Sequence, residues 1–384
     1  MSNQAILVAV SVLPVVIWLY LLLRRGLFWS VRRSLPPAPV NRPTAAAVAV
    51  VIPARNEADV IGRAITSLLR QDYDGNLHIV LVDDASSDGT AETAKQAASG
   101  LGRDATLTIL CSKPLPDGWT GKMWAVSQGV ELALERQPDF LLLTDADIEH
   151  MPGNLRQLIS WAESRNLDLA SLMVKLRTAT FAERILIPAF VFFFFMLYPP
   201  AWVASGKRKT AAAAGGCMLI RPAALQGAGG IAAICGEIID DCALARRVKR
   251  TGGRVGLGLT SDASSIRSYG GFRQIENMIS RTAFNQLRHA TALLLATALG
   301  LLFTYVLPVA LLRLGIPAAM ICGALALGMM AGAYVPLLRF YRRNPLWAVS
   351  LPLVAVFYLY ATLHSAANYW RGRGGEWKGR AQDI

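Results

Sequence analysis

Two carboxylates one residue apart, Asp145 and Asp147, follow directly on the apolar run Phe140–Leu143 and Thr144. Such a short run reads as a buried strand, and the end of a strand is where an open α/β sheet presents its ligand groups. A pair of carboxylates there suits a hard divalent cation, Mg2+ or Mn2+. Such an ion takes one or two carboxylates and completes its shell with phosphate oxygens. An isolated Asp-x-Asp also occurs in solvated turns, so the assignment depends on the other acids. Asp83 and Asp84 follow the apolar run Leu77–Val82, and Asp240 and Asp241 precede the amphipathic stretch Cys242–Arg250. Asp83 or Asp84 can accept a hydrogen bond from a base N–H or a ribose hydroxyl. By residue type Asp240 and Asp241 have two readings: they cap the helix that follows, or one of them takes a proton.

The elements that must carry these acids are legible in the pattern. From Ala47 to about Gly258 short β-branched runs alternate with amphipathic segments, which predicts an α/β fold with a mainly parallel sheet. The expected strands are Val48–Ile52, stopped by Pro53, then Leu77–Val82, Thr106–Leu110 and Phe140–Leu143. Helices are expected after Asn56 to about Arg70, from near Ala91, and over Gly121–Leu134. Pro53–Glu57, Asp83–Asp88 and Asp145–Asp147 then all lie at strand carboxyl ends. No strand runs into Gly-x-Gly-x-x-Gly, and Gly118–Lys122 lacks both the spacing and the hydroxyl of a P-loop. Gly-x-Ser-x-Gly and His-Glu-x-x-His are absent too, which leaves a hydrolase without support. His78, His150, His289 and His364 fall at no metal-ligand spacing and read as structural. Lys122 reads either as a phosphate contact or as a solvated lysine at a helix start. Trp119 and Trp124 line a pocket or pack in the core. Gly215 and Gly216 allow close backbone approach to a ligand.

With 384 residues, 53% of them hydrophobic, the chain is too apolar for an ordinary soluble enzyme. Its net charge of +13 is not arranged as a nucleic-acid-binding motif; the basic residues flank apolar stretches, which favours anionic lipid or an anionic substrate. The five cysteines include no Cys-x-x-Cys pair and read as reduced residues of a cytosol-facing domain. Ala5–Leu23 is uncharged and is followed by Arg24 and Arg25, the pattern of an uncleaved anchor whose C-terminal side is cytoplasmic. The expected plan is a transmembrane anchor (1–24), a Pro/Arg-rich linker (25–46), a cytoplasmic catalytic domain (47–270), an interfacial helix (271–290), about three transmembrane helices (291–364) and a basic tail (365–384). Inside the domain, the uncharged segment Ile185–Val203 cannot cross the bilayer if Asp147 and Asp241 share one site. It is expected to lie in the membrane plane or re-enter it, with a buried core helix as the alternative. Counting spans places the tail outside, whereas Arg371, Arg373, Lys378 and Arg380 favour the inside.

The ordered motifs Val51-Ile52-Pro53-Ala54-Arg55-Asn56-Glu57, Val82-Asp83-Asp84-Ala85-Ser86-Ser87-Asp88-Gly89-Thr90 and Asp145-Ala146-Asp147 resemble those of membrane-anchored family 2 glycosyltransferases with the GT-A fold, in particular the hopene-associated enzymes. The resemblance covers roughly residues 47–260. It implies a GT-A (Rossmann-like, mainly parallel sheet) catalytic domain with α-helical transmembrane segments. It also implies a nucleotide-diphosphate sugar donor, a divalent metal and inversion at the anomeric carbon, possibly in hopanoid-related lipid glycosylation. On that resemblance Pro53, Ala54, Arg55, Glu57, Asp83, Asp84, Lys122 and Asp145 bind the donor, Asp147 with Asp145 holds the metal, and Asp241 is the base. Gly215, Gly216, Asp240 and Arg281 become acceptor or leaving-group contacts. Trp377, Lys378, Gly379 and Arg380 join the diphosphate site if the tail is cytoplasmic. The acceptor expected is a hydroxyl of a membrane lipid, and no nucleic acid is expected as a partner. Around Arg281 the relatives' Gln/Arg-x-x-Arg-Trp motif lacks its tryptophan here, which argues against polysaccharide synthesis. Transfer to a polyprenyl phosphate, a nucleotidyltransferase and a non-catalytic membrane scaffold remain as the competing readings.

Overall fold

The computed structural model of the protein describes residues 3–31, 45–372, 376–377 and 380–381. The linker Leu35–Thr44 and, in the tail, Lys378 and Gly379 lie outside the described residues. The chain forms two units. One comprises Met1–Arg33, Thr178–Ala201 and Tyr269–Gly374; the other comprises Ser34–Arg177, Trp202–Ser268 and Gly375–Ile384.

The second unit is built on an eight-stranded sheet. Its strands are β1 (Val48–Ala54), β2 (Leu77–Asp83), β3 (Leu107–Cys111), β4 (Phe140–Leu143), β5 (Ile148–His150), β6 (Leu169–Lys175), β7 (Met218–Ile220) and β8 (Val255–Ser265), in the spatial order β3-β2-β1-β4-β7-β6-β8-β5. The pairs β2/β3, β1/β2, β1/β4 and β6/β8 are parallel; β7 runs antiparallel to β4 and β6, and β5 antiparallel to β8. β1 and β4 are buried along their whole length, as continuous apolar runs covered on both faces should be.

Pro53 does not stop β1, which runs on to Ala54. The Val51 carbonyl accepts from Thr144 N on the β4 side and the Ala54 carbonyl from Asp84 N on the β2 side. By that alternation the N–H that proline lacks faces β4 beyond the end of that strand, so no ladder bond is lost. The helix Gly121–Leu134 and β4 have the boundaries expected from sequence. That helix lies on β1 and β2 through Gly129, where an added Cβ would come within 2.6 Å of Val51 Cγ1 and 2.8 Å of Val82 Cγ2. Both valines are fully buried. Gly129→Ala is therefore expected to destabilise this unit by about 1–3 kcal/mol through overpacking, measured as a lowered denaturant midpoint at unchanged slope.

The first unit is helical and apolar. Among the described residues, five helical stretches are long and apolar enough to cross a membrane: Ile6–Leu23, Phe181–Val203, Thr291–Leu311, Pro317–Phe340 and Pro345–Trp370. Large apolar side chains such as Leu295, Ile321, Leu325 and Leu353 point outward, more than half exposed, as lipid-facing residues do. The segment expected over Ile185–Val203 forms the helix Phe181–Leu197, interrupted before Pro200. Its Phe192 ring meets Phe28 and Tyr334 edge-on, and Phe193 meets Tyr305 and Tyr358, so the phenylalanine run forms an aromatic core within the unit. The helix begins at a capping box between Thr180 and Glu183. The fully buried Glu183 carboxylate accepts from the backbone N–H groups of Ala179, Thr180 and Tyr269 at 2.6–2.8 Å. Three donors to one carboxylate meet the cost of burying its charge. Arg281 lies in this unit, on the helix Phe272–Gln286.

Candidate active site

The first two sequence motifs interlock at the carboxyl ends of β1 and β2. Asn56 N donates to Ser86 Oγ (3.0 Å), Ser87 N to Asn56 Oδ1 (2.9 Å), Glu57 N to Thr90 Oγ1 (2.8 Å) and Ala58 N to Asp88 Oδ2 (3.0 Å). Asn56 and Ala85 both adopt φ of 51°, which turns the two loops toward each other; asparagine tolerates that conformation more readily than alanine does. Arg55 reaches the Asp84 carbonyl at 2.6 Å and its carboxylate at 3.5 Å, and Asp84 is buried. Asp83 accepts from the backbone N–H and hydroxyl of Ser86. Asp84 thus secures the Arg55 loop, while the half-buried Asp83 stands at the strand end.

The third motif meets the acids of the later helix. Lys122 Nζ lies 3.1 Å from Asp145 Oδ1 and 3.3 Å from Asp240 Oδ2. Lys122 is placed by the first turn of the helix Gly121–Leu134, whose cap is Thr120 accepting from Met123 N at 3.2 Å. Asp240 and Asp241 open the first turn of the helix Asp240–Arg250, two residues earlier than sequence places its start. Asp241 Oδ2 accepts from Gly215 N at 2.9 Å and Oδ1 from Cys242 N at 2.6 Å. At Gly215 an added Cβ would lie 3.5 Å from Asp241 Oδ2, 3.5 Å from Lys122 Nζ and 3.8 Å from Asp145 Oδ2. Glycine at this position keeps the space between Asp241, Lys122 and Asp145 open. Pro53, Lys122, Thr144, Asp145, Gly215 and Asp240 line a cleft. Its apolar wall includes Met123, Ile231, Ile234 and Leu244, of which sequence patterning gave no functional sign.

The charges in this cluster act on one another. Burial, then the neighbouring Asp240 charge, push the Asp241 carboxyl up to about 6, against the pull of Lys122 and of the Cys242 and Gly215 N–H groups. Burial alone would lower the Lys122 ammonium, but Asp145, Asp240 and Asp241 outweigh it and hold its pKa above the ordinary value.

Asp147 belongs to a neighbouring arrangement. Its Oδ2 accepts from Ser265 Oγ (2.7 Å) and from Arg267 Nε (3.2 Å), and Arg267 Nη2 also holds Glu57 Oε1 at 2.6 Å. Arg267, just past the end of β8, thus ties the first motif to the third. Nothing local marks it, because its partners lie 120 and 210 residues away in the chain. Among the described residues no three His, Cys, Asp or Glu side chains are grouped to hold a metal ion. The open space at Gly215 beside Asp145, together with an all-oxygen pair at one strand end, fits a Mg2+ or Mn2+ that shares its coordination with substrate phosphates. It does not fit a cation caged by protein alone.

Of the residues singled out in the sequence, the structure gathers Pro53, Lys122, Asp145, Gly215, Asp240 and Asp241 at one cleft and its rim. Ala54, Arg55, Glu57, Asp83 and Asp84 stand at the adjoining strand ends. Gly216 packs beneath, where an added Cβ would meet Val174 and Ile148 at 3.2–3.3 Å. Trp119 and Trp124 pair edge-on, with Trp124 Nε1 donating to the Lys113 carbonyl. Of the tail, Trp377 and Arg380 are described only as members of a two-stranded backbone ladder.

The sheet order and the acids at its carboxyl ends are those of a GT-A-type α/β fold. Residues 49–227, a little under half of the chain, match the model of Glycosyl transferase family 2. An uncharacterized protein of Methanocaldococcus jannaschii is 31% identical over 121 residues, 32% of this chain and 44% of the relative. The succinoglycan biosynthesis protein ExoU of Rhizobium meliloti is 32% identical over 113 residues, 29% of this chain and 30% of the relative. The matched stretches thus span less than half of either relative. Among solved structures, a mannosyltransferase from Pyrobaculum calidifontis, in complex with GDP-Man and Mn2+, shares the fold with a TM-score of 0.53 at 20% identity. That likeness covers 95% of this chain and 99% of the mannosyltransferase.

Replacing Lys122 by methionine removes the cation that opposes the rise in the Asp241 pKa. The Asp241 pKa in Lys122→Met is therefore expected to lie above about 6, measured by carbon-13 NMR titration of labelled aspartates. An unchanged or lower value would contradict the coupling.

Proposed function

We propose that this protein is an inverting glycosyltransferase that moves a sugar from a nucleotide-diphosphate donor to a hydroxyl of a membrane lipid at the cytoplasmic face. The observation that carries the reading is the convergence of Lys122, Asp145, Asp240 and Asp241 on the cleft at Gly215, inside a family 2 domain. The Mn2+ and GDP-Man held by the Pyrobaculum calidifontis mannosyltransferase support a donor and cation of those classes. The five long apolar helices, and the arginines that follow the first of them, support a lipid acceptor and the cytoplasmic placement. The resemblance to hopene-associated enzymes favours a hopanoid-related acceptor.

In this reading Asp145, with Asp147 as the second acid of the motif, would hold a divalent cation, which would supply positive charge to neutralise the diphosphate. Lys122 sets its ammonium against phosphate oxygens, and the interlocked loops of Asn56 and Ser86 fix the nucleotide end. Asp241 is held by Gly215 N and Cys242 N in one orientation and accepts the proton of the acceptor hydroxyl. The acceptor oxygen bonds to the anomeric carbon from the face opposite the leaving group. The bond from that carbon to the diphosphate oxygen breaks with its electron pair, and configuration inverts.

Base catalysis of this kind contributes about 10²–10⁴-fold, so Asp241→Asn is expected to lower kcat by that factor with donor affinity retained. Near-normal turnover would instead favour a phosphate acceptor, which arrives already ionised. The base works only when deprotonated, and its pKa is raised to about 6. The rate should therefore be level above that pH and fall about tenfold per unit below it, read from kcat against pH. Chelation of divalent metal is expected to abolish donor binding in calorimetry, and binding that survives chelation would contradict the cation's role.

A further inference from the structure

His150 lies at the end of β5, outside the cleft. It is almost fully buried, and so are Asn154 and the cleft-lining Thr144 around it. The Thr144 hydroxyl donates to the Gly216 carbonyl at 2.7 Å. A hydroxyl has one proton to give, so toward His150 Nε2, 3.1 Å away, the Thr144 oxygen must accept. Nε2 therefore carries the imidazole proton. His150 Nδ1 is left bare and faces the Asn154 side-chain amide, which donates to it at 2.9 Å. Burial lowers the imidazole pKa to about 4, in keeping with a neutral ring. The backbone of His150 is fixed as well: its N–H donates to Ser67 Oγ at 3.0 Å, and it pairs with Ala263 of β8.

The far end of this chain of bonds reaches the candidate base. Gly216, held by Thr144, follows Gly215, whose N–H holds Asp241 Oδ2 at 2.9 Å. On the other flank Ala214 N donates to Ser171 Oγ at 2.8 Å and Leu172 N to the Cys217 carbonyl at 2.9 Å. The segment is thus anchored to β6 by Ser171 and Leu172 and to the end of β4 by Thr144, with Gly215 in between. Thr144 is also the residue before Asp145, so one hydroxyl connects the donor-side carboxylate to the peptide that orients the base.

We propose that His150, as the neutral Nε2–H imidazole, is a positioning residue that holds Asp145 and Asp241 in one rigid frame through Thr144 and the Gly215–Gly216 backbone. The inference rests on the reading of Asp241 as the base. His150 touches no reacting atom; it keeps the Thr144 hydroxyl aimed at Gly216 by leaving it no alternative acceptor. Its effect should fall on the chemical step, where small misplacements of a base are costly, and spare donor binding.

The test uses the full chain in lipid nanodiscs. Thr144→Val removes the hydroxyl at nearly constant shape, and Thr144→Ser restores it. The expected result for Thr144→Val is a loss of kcat of about 10–100-fold, with donor KM and nucleoside-diphosphate affinity within about twofold, and Thr144→Ser within about threefold of the parent. A Thr144→Val variant with parental kcat, or one whose loss lies in KM alone, overturns the proposal. Should Thr144→Val fail to fold, His150→Gln keeps a donor near the Nε2 position and is expected to retain most of kcat. His150→Asn is too short to reach Thr144 and is expected to lose it; equal turnover in these two variants overturns the proposal. Nitrogen-15 NMR of the histidine rings supplies a readout independent of transfer: a His150 proton on Nε2 at neutral pH is expected, and one on Nδ1 overturns the arrangement. If the parent protein transfers no sugar while the NMR shows the Nε2 proton, the glycosyltransferase reading fails and the hydrogen-bonded frame stands.

Discussion

One ammonium among three carboxylates is the interaction on which the site depends. Lys122 contacts Asp145 and Asp240 directly and opposes the charge of Asp241, all beside a glycine whose missing side chain keeps the space open. With every group ionised the cluster holds more negative than positive charge, at separations where partial burial strengthens Coulomb terms well beyond their value in water. A diphosphate brought to such a place needs further positive charge to accompany it. That requirement, and the oxygen-only donor set, link the geometry of Lys122 to the expectation of a divalent cation.

The sheet supplies the rigidity that this charge arrangement demands. β1, β2 and β4 end at one edge with their acids in adjoining loops, and the loops are fastened to each other by backbone N–H groups bonded to Ser86, Asp88, Thr90 and Asn56. Arg267 adds a longer tie from the end of β8 to Glu57 and Asp147. Acids that repel one another stay in place because most of their oxygens already have fixed partners. The apolar unit does the same, its buried Glu183 carboxylate being held by three backbone donors.

Much of this was legible in the residues. The buried strand Phe140–Leu143 and the helix Gly121–Leu134 follow from their apolar spacing, because tertiary packing there agrees with local pattern. Pro53 misled, since its cost depends on which neighbour its nitrogen faces, and only the register of β4 reveals that. The helix start at Asp240 was hidden because an acid pair before an amphipathic run reads equally as a cap outside the helix; in the structure both acids occupy the first turn, and Asp240 lines the cleft. Arg267 and His150 gave no signal, since each acts through partners that only folding brings near, and a lone histidine at no metal spacing looks structural whatever it orients. The expectations of a nucleotide-diphosphate sugar donor and of a role for Asp241 beyond capping rest on the resemblance of the motifs to family 2, which composition and periodicity do not supply.

The most direct measurement incubates the purified protein in nanodiscs with a panel of nucleotide-diphosphate sugars, a divalent cation and membrane lipid extract. Lipid and nucleotide products are then identified by mass and the anomeric configuration by NMR. The account predicts one donor that yields a nucleoside diphosphate and a lipid heavier by one sugar, with the configuration opposite to that of the donor. Release of pyrophosphate, or a product of retained configuration, would contradict it.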